Sequence, residues 1–142
     1  MKTATELTDL FRDRGLRVTP QRQAIFRLLT DNDRHPTVDA LYDAARVEMP
    51  TISLKTVYQT VHDLEELGQV SLLDVGTGSV RVDPNVEADH QHLVCSICGM
   101  VRDVPLGVGT SPSLPKRYRR EFAVDSVDVI FRGICEECSE TP

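Results

Sequence analysis

Two Cys-x-x-Cys pairs, Cys95 with Cys98 and Cys135 with Cys138, constrain the fold more than any other feature of this 142-residue chain. Residues 99–134 separate the pairs, a longer insertion than in a compact zinc ribbon. Two such pairs, each beginning at the end of a strand, fit a closed tetrahedral Cys₄ zinc site, which stabilises a small domain and leaves no open coordination position. The alternatives are four unrelated core cysteines or a redox pair.

A second set of candidate metal ligands surrounds the first cysteine pair. His90 and His92 point to the same face if they lie on a strand, because side chains alternate with a period of two. Asp83 and Asp103 lie nearby, and His35 is a distant candidate. Histidines with carboxylates suit Fe(II), Mn(II) or Zn(II), and an open position favours Fe(II) chemistry. The alternative is a pair of exposed histidines near a linker, with His35 as a turn residue before proline.

Length and composition limit the possible locations and partners of the chain. No run approaches the ~20 apolar residues of a membrane span, and the N-terminus has no apolar signal core. We therefore expect a cytoplasmic protein with no membrane partner, in which paired cysteines bind zinc before they form disulfides. The net charge of −6 gives little bulk attraction to DNA, although residues 1–30 carry six basic and three acidic side chains. DNA binding would need a local basic patch and a dimer.

The first half of the chain predicts four helices followed by a hairpin. Helices are expected over 4–14, from Pro20, from Thr37 and from Ser53, with threonine or serine caps. Strands are expected over 70–73 and 79–82, around the glycines at 76 and 78. This order is a winged helix-turn-helix layout, in which the last helix enters the major groove and the hairpin touches the backbone.

The second half predicts a small α/β domain. Strands over 92–95 and 100–104 flank the first cysteine pair, a short helix is expected within 114–122, and a strand over 127–134 leads into the second pair. The fold class is therefore α+β, a winged helix-turn-helix followed by a small α/β domain with a Cys₄ zinc site.

The helix that begins at Ser53 is the candidate recognition helix. Ser53, Lys55 and Thr56 lie in its first half, where the helix dipole favours an anion, and Tyr58 and Gln59 share its open face. The alternative is an ordinary solvated surface. The sequence contains no Gly-rich phosphate loop, nucleophile elbow or His-Glu-x-x-His motif, so no catalytic residue is predicted.

Several stretches together carry a family resemblance. They are Gly-Leu-Arg-Val-Thr-Pro-Gln-Arg at 15–22, His-Pro-Thr-Val-Asp-Ala-Leu-Tyr at 35–42, Ser-Leu-Lys-Thr-Val-Tyr at 53–58 and Asp-His-Gln-His-Leu-Val-Cys at 89–95, with both cysteine pairs. In this order the chain resembles, over nearly its whole length, the ferric uptake regulator family of metal-responsive transcription factors.

The resemblance implies a homodimer that binds a double-stranded DNA operator. It implies a winged-helix domain over 1–83, a hinge over 84–88 and a dimerisation and metal-binding domain over 89–142. It places Tyr58 against thymine methyls and bases, and Arg22 near the DNA backbone. It assigns structural Zn²⁺ to Cys95, Cys98, Cys135 and Cys138. It assigns regulatory Fe²⁺ or Mn²⁺ to His35, Asp83, His90, His92 and Asp103.

Within the family the sequence is most similar to the peroxide-responsive branch. At the position of Asp103, iron-uptake regulators more often have Glu and peroxide sensors Asp. Residues 125–130 lack the histidine of the extra metal site in iron-uptake regulators, and the chain lacks the fifth cysteine common in zinc-uptake regulators. The resemblance therefore implies a metal-dependent repressor that senses peroxide through Fe(II)-catalysed oxidation of His35 or His90, and that is not an enzyme. Gln59 and the acidic total charge differ from many members, which bears on the operator sequence.

Two other functions stay open at this point. One is an iron- or manganese-responsive uptake regulator of the same family without peroxide sensing. The other, from a different class, is a zinc-stabilised protein-interaction module. An iron oxygenase ranks last, because five candidate ligands leave too little room for a co-substrate.

Overall fold

The structure is a computed structural model that describes residues 1–86, 89–105, 107 and 112–140. The chain divides into two compact units, Met1–Glu87 and Ala88–Pro142. The first contains four helices and a hairpin, and the second a three-stranded sheet with a short helix. The predicted fold class is confirmed. The predicted hinge at 84–88 stays a prediction, since residues 87 and 88 lie outside the described residues.

The helices of the first unit begin where short polar side chains can cap them. The hydroxyls of Thr3, Thr19, Thr37 and Ser53 each accept a hydrogen bond from a backbone N–H in the first turn, which satisfies one of the free donors there. The helices are α1 (Ala4–Asp13), α2 (Pro20–Leu29), α3 (Val38–Glu48) and α4 (Leu54–Glu66). All four predicted helices are confirmed to within two residues at their N-terminal ends.

The four helices bury one apolar cluster. Phe11 of α1 and Phe26 of α2 meet edge to face with ring centroids 4.8 Å apart. Helix α4 contributes Val57, Val61 and Leu64 from its inner face. The remaining members are Leu7, Ile25, Leu29, Val38, Leu41, Ala45, Ile52, Val70 and Val82. This packing leaves the opposite face of α4 to solvent.

The hairpin consists of β1 (Ser71–Leu73) and β2 (Arg81–Asp83), which pair antiparallel. Strand β2 begins two residues later than predicted, because Gly78 adopts a positive φ of 86° and keeps the chain in the turn. The N–H of Val82 also donates to the carbonyl of Pro36 at 2.8 Å. This bond draws the segment before α3 alongside the strand.

The sheet of the second unit has β3 (His90–Cys95) at its centre. Strand β4 (Val101–Pro105) pairs antiparallel on one side, and β5 (Ile130–Gly133) pairs parallel on the other. The parallel register places Cys95 opposite Gly133. The chain that leaves β5 therefore arrives beside the first cysteine pair.

Two elements of the second unit are shorter than predicted. The helix expected within 114–122 was wrong in extent, since only a three-residue 3-10 turn forms, at Tyr118–Arg120. Pro115 has no N–H to donate, and the turn has no side-chain cap and no buried residue to hold further turns. The strand expected over 127–134 is also shorter, since β5 covers Ile130–Gly133. Helix α5 (Glu136–Ser139), which the sequence did not predict, is a single turn after Cys135. No helix among the described residues has the length and apolar character to cross a bilayer.

Candidate metal centres and DNA-binding helix

The four cysteines gather at one end of the second unit. Their sulfurs all lie within 4.8 Å of one another, and the Sγ atoms of Cys98 and Cys135 are 3.8 Å apart. A tetrahedral zinc with Zn–S bonds of ~2.3 Å needs sulfurs about 3.8 Å apart. Strand β3 brings in Cys95, and the turn at Gly99, whose N–H bonds the carbonyl of Cys95, folds Cys98 back. The cluster fits a closed Cys₄ zinc site.

Hydrogen bonds within this cluster give its thiols different pKa values. The backbone N–H of Cys135 donates to Sγ of Cys95 at 3.4 Å, and with the N–H groups of Cys98 and Ile97 it lowers the pKa of the Cys95 thiol to about 6. Hydrogen bonding to the thiols of Cys135 and Cys98 raises the pKa of Cys138 to about 12. One thiolate is therefore stabilised before the others, which is the form of cysteine that a metal binds.

A histidine and aspartate set lies across β3 and β4. His90 and His92 extend to the same side of β3, as predicted, with their Nε2 atoms 3.1 Å apart. Asp103 is the register partner of His92, and its Oδ1 lies 3.6 Å from Nε2 of His90 and 3.7 Å from Nε2 of His92. Donors bound to one ion at ~2.1 Å are separated by about 3.0–3.4 Å. The donor chemistry fits a divalent metal, and so does the spacing of the two histidine nitrogens, while Asp103 lies a few tenths of an ångström farther out than a bound carboxylate.

His35 and Asp83 form a second pair of donors, within the first unit. Nε2 of His35 lies 3.4 Å from Oδ1 of Asp83, and both side chains are buried. Nδ1 of His35 faces the carbonyl of Asp33 at 3.1 Å. A proton on Nδ1 donates to that carbonyl and leaves Nε2 as the lone-pair nitrogen directed at the carboxylate, the tautomer that a metal ligand needs. The Nε2 lone pair of His35 and the carboxylate of Asp83 repel each other at this distance, and a cation bound between them would remove the repulsion.

The backbone of His35 is itself unusual. Its φ is +49°, in the left-handed region that non-glycine residues seldom adopt. Residues held this way concentrate at functional sites, where the surrounding structure maintains them. Here the carbonyl of His35 accepts from Nη1 of Arg81 at 3.4 Å, on the strand that also carries Asp83.

The predicted DNA-contacting residues lie on or before α4, with the exception of Arg22. Ser53 caps the helix and its hydroxyl bonds that of Thr56 at 2.9 Å. Tyr58 is 52% exposed, and Lys55 and Gln59 are exposed on the same open face. These five residues therefore share an accessible surface at the N-terminal half of the helix.

Arg22 lies in a different environment from the other predicted DNA contacts. Its Nη2 lies 2.6 Å from Oδ2 of Asp63 on α4, and its guanidinium stacks 5.3 Å from the ring centroid of Phe11. The other oxygen of Asp63 accepts from Nε2 of Gln59 at 2.8 Å. A contact of Arg22 with the DNA backbone stays a prediction, and it would compete with this ion pair.

The sequence analysis did not single out Asp63, which contacts two of the predicted DNA-binding residues. The available signal was the spacing of Gln59 and Asp63, since glutamine and aspartate four residues apart are neighbours on a helix and can hydrogen-bond. The pairing of Asp63 with Arg22, across 41 positions of the chain, had no comparable signal.

The chain matches known proteins along most of its length. Residues 13–110 match the ferric uptake regulator family. The peroxide-responsive repressor PerR of Staphylococcus aureus (strain Mu50 / ATCC 700699) is 33% identical over 129 residues, which cover 91% of this chain and 86% of that protein.

Solved structures agree with this match. A zinc-bound manganese uptake regulator is 32% identical with a TM-score of 0.70, covering 94% of this chain and 99% of that one. The peroxide stress regulator of Campylobacter jejuni is 26% identical with a TM-score of 0.64, covering 97% and 100%. With the metal-binding geometry of its cysteines, histidines and aspartates, these matches identify the chain as a metal-responsive regulator that belongs to the ferric uptake regulator family.

Proposed function

We propose that this protein is a metal-dependent, DNA-binding transcriptional repressor that senses peroxide through bound Fe(II). The observation that carries the proposal is the convergence of His90, His92 and Asp103 on one point, separate from the zinc-type cysteine cluster. Nitrogen and oxygen donors of this kind bind an exchangeable divalent metal, whereas the sulfur cluster holds a permanent one. The protein thus has separate chemistry for stability and for sensing.

The regulatory ion takes ligands from both units in this proposal. The second unit supplies three donors, which fill half of an octahedral sphere, and His35 and Asp83 supply two more. An ion bound by all five would hold the units at one angle about a hinge at 84–88. Without it the protein would populate many angles, and only the fraction with the correct angle would bind DNA tightly.

Residues 89–142, within the second unit, are the proposed dimerisation domain, with Zn²⁺ as its structural ion. Leu93 and Phe131 are register partners on β3 and β5 and are each 48% exposed. In this proposal another copy of the chain covers these two side chains. A homodimer would present two copies of α4 to two half-sites of an operator.

Residues 1–83, within the first unit, are the proposed DNA-binding domain. Helix α4 would enter the major groove with Lys55 and Thr56 near phosphates and Tyr58 and Gln59 near base edges. The acidic total charge means that affinity depends on this local surface and on the dimer. A repressor acts where the chromosome is, so we place the protein in the cytoplasm.

Peroxide sensing consumes the sensor in this proposal, so the protein is not an enzyme. Fe(II) held at this site would supply the activation of hydrogen peroxide, and the ligand ring would supply the two electrons. In the net reaction the imidazole of His35 or His90 gains one oxygen atom and the other oxygen leaves as water. An oxidised ring is a poorer ligand, so the ion is lost and repression ends. The peroxide-responsive relative and Asp103 both support this branch.

An iron- or manganese-responsive uptake regulator is the second candidate. The manganese uptake regulator with 32% identity favours it. In that case the metal level itself is the signal, and ligand oxidation plays no part. A zinc-stabilised interaction module without DNA binding is the candidate from another class.

One experiment separates the three functions. Zinc-loaded protein is tested for binding to the promoter DNA next to its own gene, with Mn(II) or with Fe(II), before and after mild peroxide, and the peptides are then weighed. We expect metal-dependent binding that peroxide abolishes only with Fe(II), together with the mass of one added oxygen on the peptide holding His35 or His90. The exposed His62 is the internal control and should stay unmodified.

The other outcomes point elsewhere. Metal-dependent binding without oxygen gain on either peptide identifies the uptake regulator. Absence of DNA binding with every metal favours the interaction module.

A further inference from the structure

A largely buried ion pair connects the proposed recognition helix α4 to α2. Asp63 on α4 binds Arg22 on α2 through one carboxylate oxygen and Gln59 through the other. The side chains of Arg22 and Asp63 are 14% and 8% exposed. Because water has little access, this carboxylate keeps its two partners in place.

The carboxylate determines which way the amide of Gln59 points. An ionised carboxylate only accepts hydrogen bonds, so the group facing it at 2.8 Å must be the NH₂ of Gln59 and not its carbonyl. One N–H is then used by Asp63. The carbonyl Oε1 and the second N–H of an exposed side chain are left for another molecule.

An adjacent acceptor and donor match adenine in the major groove. Adenine offers its N6 amino group as a donor and N7 as an acceptor, which a glutamine amide can pair with through both atoms. We propose that Asp63 is a positioning residue that determines sequence specificity, by orienting Gln59 to read an adenine in each half-site. This inference rests on the proposed DNA-binding function.

Arg22 completes the arrangement from the other side. Its guanidinium has donors only, and it is held over the ring of Phe11. It therefore fixes the second oxygen of Asp63 and so the plane of the carboxylate that Gln59 meets. Arg22 would act on DNA recognition through Asp63, without a phosphate contact of its own.

The test is selection from DNA duplexes with a randomised half-site by full-length, zinc-loaded protein in Mn(II). Gln59→Ala removes the proposed reading side chain. Arg22→Met with Asp63→Leu replaces the buried pair by apolar groups of similar size, a change that proteins commonly tolerate, and frees the amide. His62→Ala, on the same helix and outside this network, is the matched control.

We expect the wild-type protein to select adenine at one position of the half-site. Gln59→Ala and the double variant should each lose this preference, by roughly fivefold to a hundredfold, while the remaining positions are unchanged. The melting temperature of both variants should stay near that of the wild-type protein, as in His62→Ala. A merely structural role for the pair would alter stability and leave the base preference intact.

Asp63→Asn provides a second, directional readout. The asparagine carbonyl should stay with Arg22, which turns the asparagine NH₂ toward Gln59. Gln59 must then accept with its carbonyl and expose its own NH₂, a change that favours guanine, whose N7 and O6 both accept.

Three results would overturn the inference. They are an unchanged adenine preference in the double variant, an unchanged preference in Asp63→Asn, and a wild-type consensus in which Gln59→Ala alters no position. If the wild-type protein enriches no sequence with Mn(II), the proposed function fails as well. Enrichment that survives the loss of the pair overturns only the role of Asp63.

Discussion

Each of the two units of this protein is stabilised internally in a different way. The first buries fourteen apolar side chains in one cluster. Among the described residues of the second, only Val94, Cys95 and Val101 are buried apolar side chains. Larger apolar groups there are exposed, among them Ile97, Phe122, Phe131 and Ile134. A domain that buries so little apolar surface needs another source of stability, and the cysteine cluster is placed to supply it.

The helix ends show the same contrast. Each of the four long helices in the first unit has a side-chain cap, whereas α5 begins at Cys135 without one. The first unit therefore combines local and tertiary stabilisation, while the second depends on few strong bonds. Perturbing each unit separately should reveal this division.

Loss of one zinc ligand should produce the largest effect. In Cys138→Ser, or after zinc chelation, we expect residues 89–140 to lose hydrogen-exchange protection while α1 to α4 keep theirs. Structural zinc contributes about 10–16 kcal/mol to folding in zinc-finger peptides, comparable to the whole stability of a small domain. Mass spectrometry of exchanged peptides measures the difference. Ser139→Ala is the neighbouring control, and retained protection in 89–140 would contradict the contrast between units.

A cavity in the first unit should destabilise that unit and leave zinc binding by the second unit unchanged. Phe26 is fully buried, so Phe26→Ala should destabilise the helical unit by about 3–5 kcal/mol. Urea unfolding followed by helical circular dichroism should show the loss, while zinc content per chain stays constant. Phe122→Ala, at a side chain that is 68% exposed, should change stability by less than about 0.5 kcal/mol. A fall in zinc content of the Phe26 variant would show that the units depend on each other.

Removing a helix cap should produce a smaller, local effect. Thr19 accepts from the N–H of Arg22 at 3.3 Å, so Thr19→Ala should cost about 1 kcal/mol in the urea titration. Thr19→Ser keeps the hydroxyl and should restore most of it. If serine is no better than alanine, the lost stability comes from packing and not from the cap.

The smallest effect expected is a pH dependence at α1. The backbone N–H and the hydroxyl of Thr3 lower the pKa of Glu6 below its usual 4.5. A carboxyl whose folded-state pKa is depressed adds stability above its unfolded-state pKa, and this is lost as pH falls through the folded-state value. The stability advantage of wild type over Glu6→Ala should therefore shrink in urea titrations below about pH 4. Asp43→Ala, at an exposed position of α3, is the control for loss of a surface carboxyl group.

Local signals explain why much of the fold could be predicted. Thr19 before Pro20, and Ser53 before an apolar stripe, act within one helical turn, so the sequence alone locates those helix starts. The alternation of His90 and His92 likewise predicts their common face. The segment 114–122 shows where such local signals fail. A short helix was expected there, but only one 3-10 turn forms, because the turn has no side-chain cap and no buried face.

Long-range pairings could not be predicted in the same way. The parallel alignment of β5 with β3 depends on register between segments about forty residues apart, and such register has no local signature. The burial of Arg22 depends on Asp63 in the same manner. The motif at 15–22 therefore singled out Arg22, while only the tertiary structure shows that its partner is Asp63.

The separation of the cysteine pairs has a consequence for biosynthesis. Val82, the final member of the apolar cluster, is translated roughly 55 residues before Cys138, a delay of about 3–11 seconds at typical rates. The helical unit can thus fold before Cys135 and Cys138, the partners of Cys95 and Cys98, have been synthesised. Until Cys135 and Cys138 are made, the thiols of Cys95 and Cys98 lack two of the four ligands of the zinc site, and a thiol without its metal is the form open to oxidation.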